Sequence, residues 1–322
     1  MNDQSSSSSQ VTSGVPQGSV PGPTLFIYFI NDLPTVVTTF LKIFADDTKA
    51  YNPIQNDFNR EELQHTIECL VEWSNIWQLK FNGSKCKVLH IGKNNPHYDY
   101  FISEDGVLKK LDSISFEKDL GITVDPLLSF EEHINNIVKK ARSISGLIIR
   151  TITFKSKEIM VPLFKALVRP ILEYGNVVWS PNKRKHIDLI ESIQRNFTKC
   201  VFGMRGLTYE ERLKALCLPS LEYRRLRGDF IEAYKITHNH YDQLTTNKLL
   251  TPTESNTRSH KFKLMKPRVK TNIFLHFFTN RIINKWNGLP CNIVEAESIN
   301  CFKNLIDSYF KDFIYAIDFN FD

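Results

Sequence analysis

Apolar residues along the chain fall into two regimes. TLFIYFINDLP is an apolar stretch of helical length that stops at Pro34, and TTFLKIFADDTKAYN then reads as strand, tight turn, strand, its β-branched and aromatic arms flanking Asp46 and Asp47. Between residues 57 and 80, Phe58, Leu63, Ile67, Leu70, Val71, Ile76 and Leu79 recur at helical spacing, with Trp73 and Trp77 one turn apart as core candidates. Asn82-Gly83 breaks that pattern, KCKVLHIG is a short strand, and residues 98–124 hold two or three more strands around turns at Glu104–Gly106 and Asp112–Ser113. Consecutive hairpins rather than βαβ units predict a sheet with helices on one side, hence an α+β fold.

Past Asp125 the period becomes helical throughout. Leu127, Phe130, Ile134, Ile137, Ala141, Ile144 and Ile148 form one stripe, with Lys139, Lys140 and Arg142 beside it. Further helices are expected near 156–178, 184–202, 209–216 and 220–240. A polar, Thr- and Asn-rich linker follows at 241–258, then a basic segment, RSHKFKLMKPRVK, and closing helices at 272–287 and 298–312. The serine-rich first ten residues and the Gly- and Pro-dense GVPQGSVPGP read as a lead and a loop with unusual backbone dihedrals. The expected division is therefore 1–124, an all-α region at 125–240, and 241–322.

Composition narrows the classes. At 322 residues the chain has room for about two domains, and 42% hydrophobic residues with a net charge of only +6 exclude global disorder. No apolar run approaches the ~18–20 residues of a membrane span, and no signal sequence is visible, so no membrane is expected. Six scattered cysteines without a CxxC read as reduced thiols of an intracellular protein. No zinc is expected either: His65, Cys69 and Cys86 lack a fourth ligand and match no zinc spacing. Residues 1–100 carry a net −3 and the remainder a net +9. That asymmetry suits a metal site next to a polyanion-binding surface, and equally ordinary solvated faces.

Two residue sets carry candidate chemistry. Adjacent carboxylates on a hairpin tip repel by roughly 4 kcal/mol at ~4 Å and an effective dielectric near 20. With Phe44, Ala45 and an apolar strand beside them, Asp46 and Asp47 are not expected to be fully solvated, and a divalent cation would relieve the repulsion; the alternative is an exposed acidic turn. The second set is basic: Lys183, Arg184 and Lys185 leading into a helix, Arg224, Arg225 and Arg227 on another, and Arg258, Lys261, Lys263, Lys266, Arg268 and Lys270 in a run without one acid. Such groups neutralise phosphates without reading sequence, or simply face solvent.

Taken together, the motifs resemble the palm of reverse transcriptases, and more narrowly the non-LTR retrotransposon (LINE) enzymes of the jockey and CR1 type. GVPQGS with the following LF…INDLP is similar to that family's motif B, FADDT to motif C, WSNIWQLKFNGSKCKVLHIG to motif D, and KDLGITVDPLLSFEEHI to the primer grip and the start of the thumb. WNGLPCNIVEAESINCFKNLI resembles the closing tail, so the likeness runs in order along nearly the whole chain. The resemblance implies a partial right-hand palm with an antiparallel sheet over 1–124 (motifs B to E), a helical thumb-like domain over 125–240, and a basic C-terminal helical region over 241–322. It implies RNA-directed DNA polymerase activity on an RNA template and DNA primer with dNTPs. It further implies Mg²⁺ or Mn²⁺ held by Asp46 with Asp47 in support, Gln17 and Gly18 beside the incoming nucleotide, Lys85 as a phosphate contact or proton donor, and a nuclear site of action.

Two departures shape the expectation. Pro21 stands where the family usually has a larger aliphatic residue. An earlier strand bearing a further catalytic Asp is not found either, since only Asp3 precedes Gly14, in a serine-rich setting. The expectation is thus the C-terminal part of a larger polymerase, inactive alone. The alternatives are a non-catalytic nucleic-acid-binding protein, or a transposon relic without function.

Overall fold

The computed structural model describes residues 18–242, 249–253 and 260–317, and the chain divides into two compact units, 1–115 and 116–322. In the first unit, α1 (Gly22–Ile30) and a 3₁₀ turn (Leu33–Val36) lead into the strands β1 (Phe40–Phe44) and β2 (Asp47–Tyr51). The long helix α2 (Asp57–Ile76) follows. Its N-terminus is fixed by Asn56, whose side chain accepts the Asn59 backbone N–H, satisfying one of the donors a helix leaves open. β3 (Lys87–Leu89), β4 (Phe101–Glu104), β5 (Val107–Lys110) and β6 (Asp112–Ile114) complete the unit.

α2 serves two small cores at once. Leu70 and Trp73 meet Ile30 and Leu33, with Leu41, Ile43 and Ala50 of the β1–β2 hairpin against them. Leu63, Ile67 and Val71 cover Tyr100, Ile102 and Leu111 on the other side. Buried Trp73 satisfies its indole N–H on the Asp32 carboxylate at 3.2 Å, whereas Trp77, 45% exposed, stands edge-on to Phe29.

The strands do not form the single hairpin-built sheet expected from sequence. Among the described residues they pair as separate two-stranded ladders: β1–β2 and β4–β5 antiparallel, β3–β6 parallel with Lys87 opposite Asp112. The turn expected at Asp112–Ser113 is therefore strand. Here the chain reverses once, at Asp105 and Gly106, where both residues take positive φ.

The second unit opens with the hairpin β7 (Glu117–Asp119) and β8 (Ile122–Val124), which the sequence reading grouped with the preceding strands; Ile122 instead joins the helical core. Asp125 then organises the entry to α3 (Glu131–Thr151): its carboxylate accepts the N–H groups of Leu127, Ser129 and Phe130 and the Ser129 hydroxyl, at 2.7–3.2 Å. Of the stripe predicted on α3, Ile134, Ala141 and Ile148 are buried and Val138 joins them, while Phe130, Ile137 and Ile144 are half-buried and Leu127 is exposed. α4 (Lys157–Leu163) passes through a wide π turn, Phe164–Val168, into α5 (Arg169–Glu173). Pro170 near the start of α5 has no N–H to offer and would crowd the carbonyl four residues back, and the widened turn accommodates it.

α6 (Asn176–Trp179), α7 (Arg184–Lys199), α8 (Tyr209–Leu216) and α9 (Leu221–Thr237) follow. α3, α4, α5, α7 and α8 enclose a core around Met160, Phe164, Trp179, Ile190 and Phe197. The face of α9 bearing Tyr223, Phe230 and Tyr234 closes a second core with Trp286, Phe302 and Ile306. The closing region ends in the helix Ile299–Tyr309, preceded by the short helices Asn272–His276, Phe278–Arg281, Ile283–Asn287 and Cys291–Val294 rather than by a continuous 272–287 helix.

Candidate functional site

The Asp46–Asp47 pair sits where the sequence places it, at the tip of the β1–β2 hairpin. Phe44 and Asp47 form the last cross-strand pair, leaving Ala45 and Asp46 as a two-residue turn. Ala45 takes φ +51°, a left-handed conformation costing an L-residue on the order of 1 kcal/mol. Alternation sends Leu41 and Ile43 toward the small core and leaves Phe40, Lys42 and Phe44 outward, with Phe40 stacked on Tyr51 at the far end of the ladder, 5.2 Å between ring centroids.

Both carboxylates are exposed, contrary to the expectation that the apolar strand would shield them. A ladder of only two strands leaves its tip uncovered, so the repulsion between the two charges is relieved by water. Among the described residues no group of three or more His, Cys, Asp or Glu side chains converges on a point that could hold a metal. The pair by itself does not fit a divalent-metal centre; it offers two oxygen-donor groups on a turn.

The other predicted residues of this unit are dispersed. Gly18 is exposed at φ +83°, a conformation glycine adopts without strain, and Gln17 lies outside the described residues. Lys85 is exposed in the turn after α2, its backbone N–H donating to the Asn82 carbonyl at 2.9 Å. Among the described residues no hydrogen bond or ion pair joins it to Asp46 or Asp47.

The basic candidates of the second unit separate by what already holds them. Arg184 pairs with Asp188 at 2.9 Å and Lys185 with Glu131 at 2.7 Å. Arg224 grips Glu173 through two nitrogens, and Arg227 grips Asp307 the same way. Arg225 is only 4% exposed, among the carboxylates of Glu191, Glu222, Glu173 and Asp229, and so belongs to the interior. Lys183 stays exposed ahead of α7. In the C-terminal run, Lys261, Lys266, Arg268 and Lys270 are exposed, and the Lys261 ammonium lies 5.2 Å from the Phe262 ring. Lys263 is half-buried, and Arg258 falls outside the described residues.

Sequence reasoning passed over a buried polar cluster. Glu191, fully buried, accepts the Tyr209 hydroxyl at 2.6 Å and the backbone N–H groups of Leu221 and Glu222 at the start of α9; burial pushes its carboxyl above the usual range. Asp229 takes Arg281 bidentately at 2.8 Å. These groups are held for packing: they lock helix ends inside the core.

Residues 1–143 match the reverse transcriptase (RNA-dependent DNA polymerase) family. The RNA-directed DNA polymerase from mobile element jockey of Drosophila melanogaster is 26% identical over 65% of this chain and 24% of its own length. Over this segment the chain is similar to the reverse transcriptases of jockey-like, non-LTR mobile elements. The probable RNA-directed DNA polymerases from transposon X-element and transposon BS, both of Drosophila melanogaster, are 27% and 30% identical over 63% and 62% of this chain, in each case 24% of theirs. The chain spans about a quarter of the length of these curated relatives. No solved structure matches it. The reverse transcriptase match contains the whole β1–β2 hairpin and ends within α3.

Proposed function

We propose that this chain supplies the FADD-bearing part of an RNA-directed DNA polymerase, working on an RNA template and DNA primer with dNTPs. The observation that carries the reading is a paired-aspartate turn at the tip of an antiparallel hairpin, inside the segment that matches the reverse transcriptase family. In this reading Asp46 is a metal ligand and Asp47 supports it. Gln17 and Gly18 lie near the nucleotide, and Lys85 faces phosphate. Mg²⁺ or Mn²⁺ is the ion this family resemblance implies, and the described residues provide only part of its ligand set. The hairpin's role is positional: Leu41 and Ile43 anchor it on Trp73, and the strained Ala45 turn holds two carboxylates at the open end. In the palm, thumb and basic-tail division, the helices beyond residue 125 and the free cations Lys183, Lys261, Lys266 and Arg268 contact the nucleic-acid backbone.

The exposed, two-ligand tip favours a second reading, a non-catalytic nucleic-acid-binding protein. One experiment separates the two. The chain alone is expected to give no primer extension on an RNA template with Mg²⁺ or Mn²⁺. Joined in one polypeptide to a related element's segment bearing a further carboxylate strand, it should extend a primer, and Asp46→Asn should abolish that extension. A joined protein that stays inactive while binding the template would sink the polymerase reading.

A further inference from the structure

The helical unit carries a cluster that the polymerase reading does not use. α3 and α7 pack side by side and run the same way: Lys185 at the start of α7 pairs with Glu131 at the start of α3. Just past their C-termini, the Phe202 N–H donates to the Lys155 carbonyl at 2.8 Å. Each of the two loops joined by that bond presents an aromatic ring to solvent, Phe154 at 67% and Phe202 at 78% exposure.

The second loop is well anchored. Val201 is 2% exposed, Met204 packs on the same core, and the turn runs through Gly203 at φ +78°. The smaller Val201 is turned in and the larger Phe202 out, so the loop forgoes the roughly 1.5–3 kcal/mol that burying a phenylalanine supplies. The ring face is what that arrangement provides.

The chain segments that carry the rings hold charge of one sign. Residues 133–157 contain Lys139, Lys140, Arg142, Arg150, Lys155 and Lys157, and residues 192–209 contain Arg195, Lys199 and Arg205, with no Asp or Glu in either stretch. Arg150, Lys199 and Arg205 are exposed, and none of them forms an ion pair among the described residues, the reverse of Arg184, Lys185, Arg224 and Arg227. Lys157 donates to the Ala215 carbonyl, and Arg195 lies 5.1 Å from the Tyr209 ring. Glu158, the first acid after the loop, is turned to its own backbone and Ser156 at the start of α4.

Solvent-facing rings on anchored loops, flanked by unpaired cations, are what single strands require: unpaired bases stack and phosphates meet positive charge, whereas a duplex hides its base faces. We propose that Phe154 and Phe202, with Arg150, Lys199 and Arg205, form a site for single-stranded nucleic acid at this end of the helical unit. No carboxylate or metal enters it, so it stands or falls apart from the polymerase reading.

The test uses the full chain and fluorescence anisotropy, with labelled oligo(dT) and oligo(U) of about twenty nucleotides, an abasic strand of equal length, and a blunt duplex. The double substitution Phe154→Ala with Phe202→Ala is expected to weaken oligo(dT) and oligo(U) binding at least about tenfold, and to leave the abasic strand and duplex within about twofold. Phe154→Trp with Phe202→Trp should retain binding. Arg150→Gln, Lys199→Gln and Arg205→Gln together should flatten the salt dependence on every probe. Since both rings are exposed, the alanine variant should melt like the parent. Oligo(dT) and oligo(U) binding unchanged by the alanine pair, an equal loss on the abasic strand, or no single-strand binding by the parent would each overturn the proposal. So would sedimentation showing that the alanine pair merely breaks up a dimer while oligonucleotide binding persists.

Discussion

The two units bury their apolar residues to different degrees. In the first, the fully buried members of its two cores are Ile30, Leu33, Leu70 and Trp73 in one and Tyr100, Ile102 and Leu111 in the other. Val20, Leu25, Ile27 and Tyr28 on and around α1, and Phe40 and Phe44 on the hairpin, stand exposed. In the second unit, Trp179, Trp286, Tyr223, Tyr234, Phe164, Phe197, Phe230 and Phe302 are all below 2% exposure. The paired carboxylates thus sit on the thinly packed unit, whereas the second unit is organised around large, fully buried aromatic side chains. An isolated two-stranded hairpin is marginal in water, so the carboxylate tip borrows rigidity from the small core that α2 forms with Ile30 and Leu33.

The largest expected effect of this contrast is in amide exchange. Residues 40–51 should exchange at least about a hundredfold faster than 186–198 and 223–236, because local opening of a two-stranded ladder costs far less than opening a packed helical core. Equal protection in the two regions, measured by exchange and mass spectrometry, would erase the comparison.

Next in size is a pair of truncations. Trp286→Ala removes a fully buried indole whose N–H donates to the Phe262 carbonyl at 2.8 Å, and should destabilise the helical unit by roughly 3–5 kcal/mol. Phe44→Ala, on a side chain 62% exposed, should change stability by under about 0.5 kcal/mol. Denaturant unfolding with Trp73 and Trp179 as reporters of their respective units reads both.

That asymmetry also marks how far the sequence could be read. Long stripes were legible: α2, α3 and α7 lie where the apolar spacing puts them, since one repeated contact face fixes a helix locally. The FADD turn was legible for the same reason, its whole signal lying within a few residues. What depended on distant partners was not. The parallel β3–β6 pairing joins segments some 25 residues apart (Lys87 opposite Asp112), and short strands carry no mark of which neighbour they choose. The basic residues were misjudged likewise: Arg224 and Arg227 look free on their helix, but Glu173 and Asp307, 51 and 80 residues away, already hold them. Exposure of Asp46 and Asp47 was hidden too, because it depends on what covers the hairpin, not on the residues within it.

A pH experiment sharpens the contrast further. His133, 2% exposed, accepts the Thr123 N–H through Nδ1 at 3.2 Å and stands edge-on to Trp179; burial pushes its pKa from 6.5 down to about 4. The unfolded chain then binds this proton more readily than the folded one, so the contribution is complete above pH 6.5 and is lost progressively as pH falls toward 4, on the order of 3 kcal/mol in all. His133→Gln should remove most of that acid slope from the helical unit. A slope identical in the variant would show that other groups carry it.

The smallest effect probes backbone strain in the two units by one chemical change. Ala45 in the hairpin and Cys217 after α8 both take φ +51°, where a Cβ is disfavoured and glycine is not. Cys217 ends α8 as a left-handed cap, its N–H reaching the Leu213 and Lys214 carbonyls, the position where glycine is most often found. Glycine relieves the strain but adds freedom to the unfolded chain worth about 0.4–1 kcal/mol, so the net gain at either site is a few tenths to about 1 kcal/mol. Cys217→Gly should therefore raise the midpoint of the helical unit slightly, with Trp179 reporting. Ala45→Gly should act only on the transition reported by Trp73, and there the smaller intrinsic stability makes the same increment a larger fraction of the whole. If Ala45→Gly instead moved the Trp179 transition as much as the Trp73 one, the units would be unfolding together, and the contrast drawn between them would have to give way to a single cooperative fold.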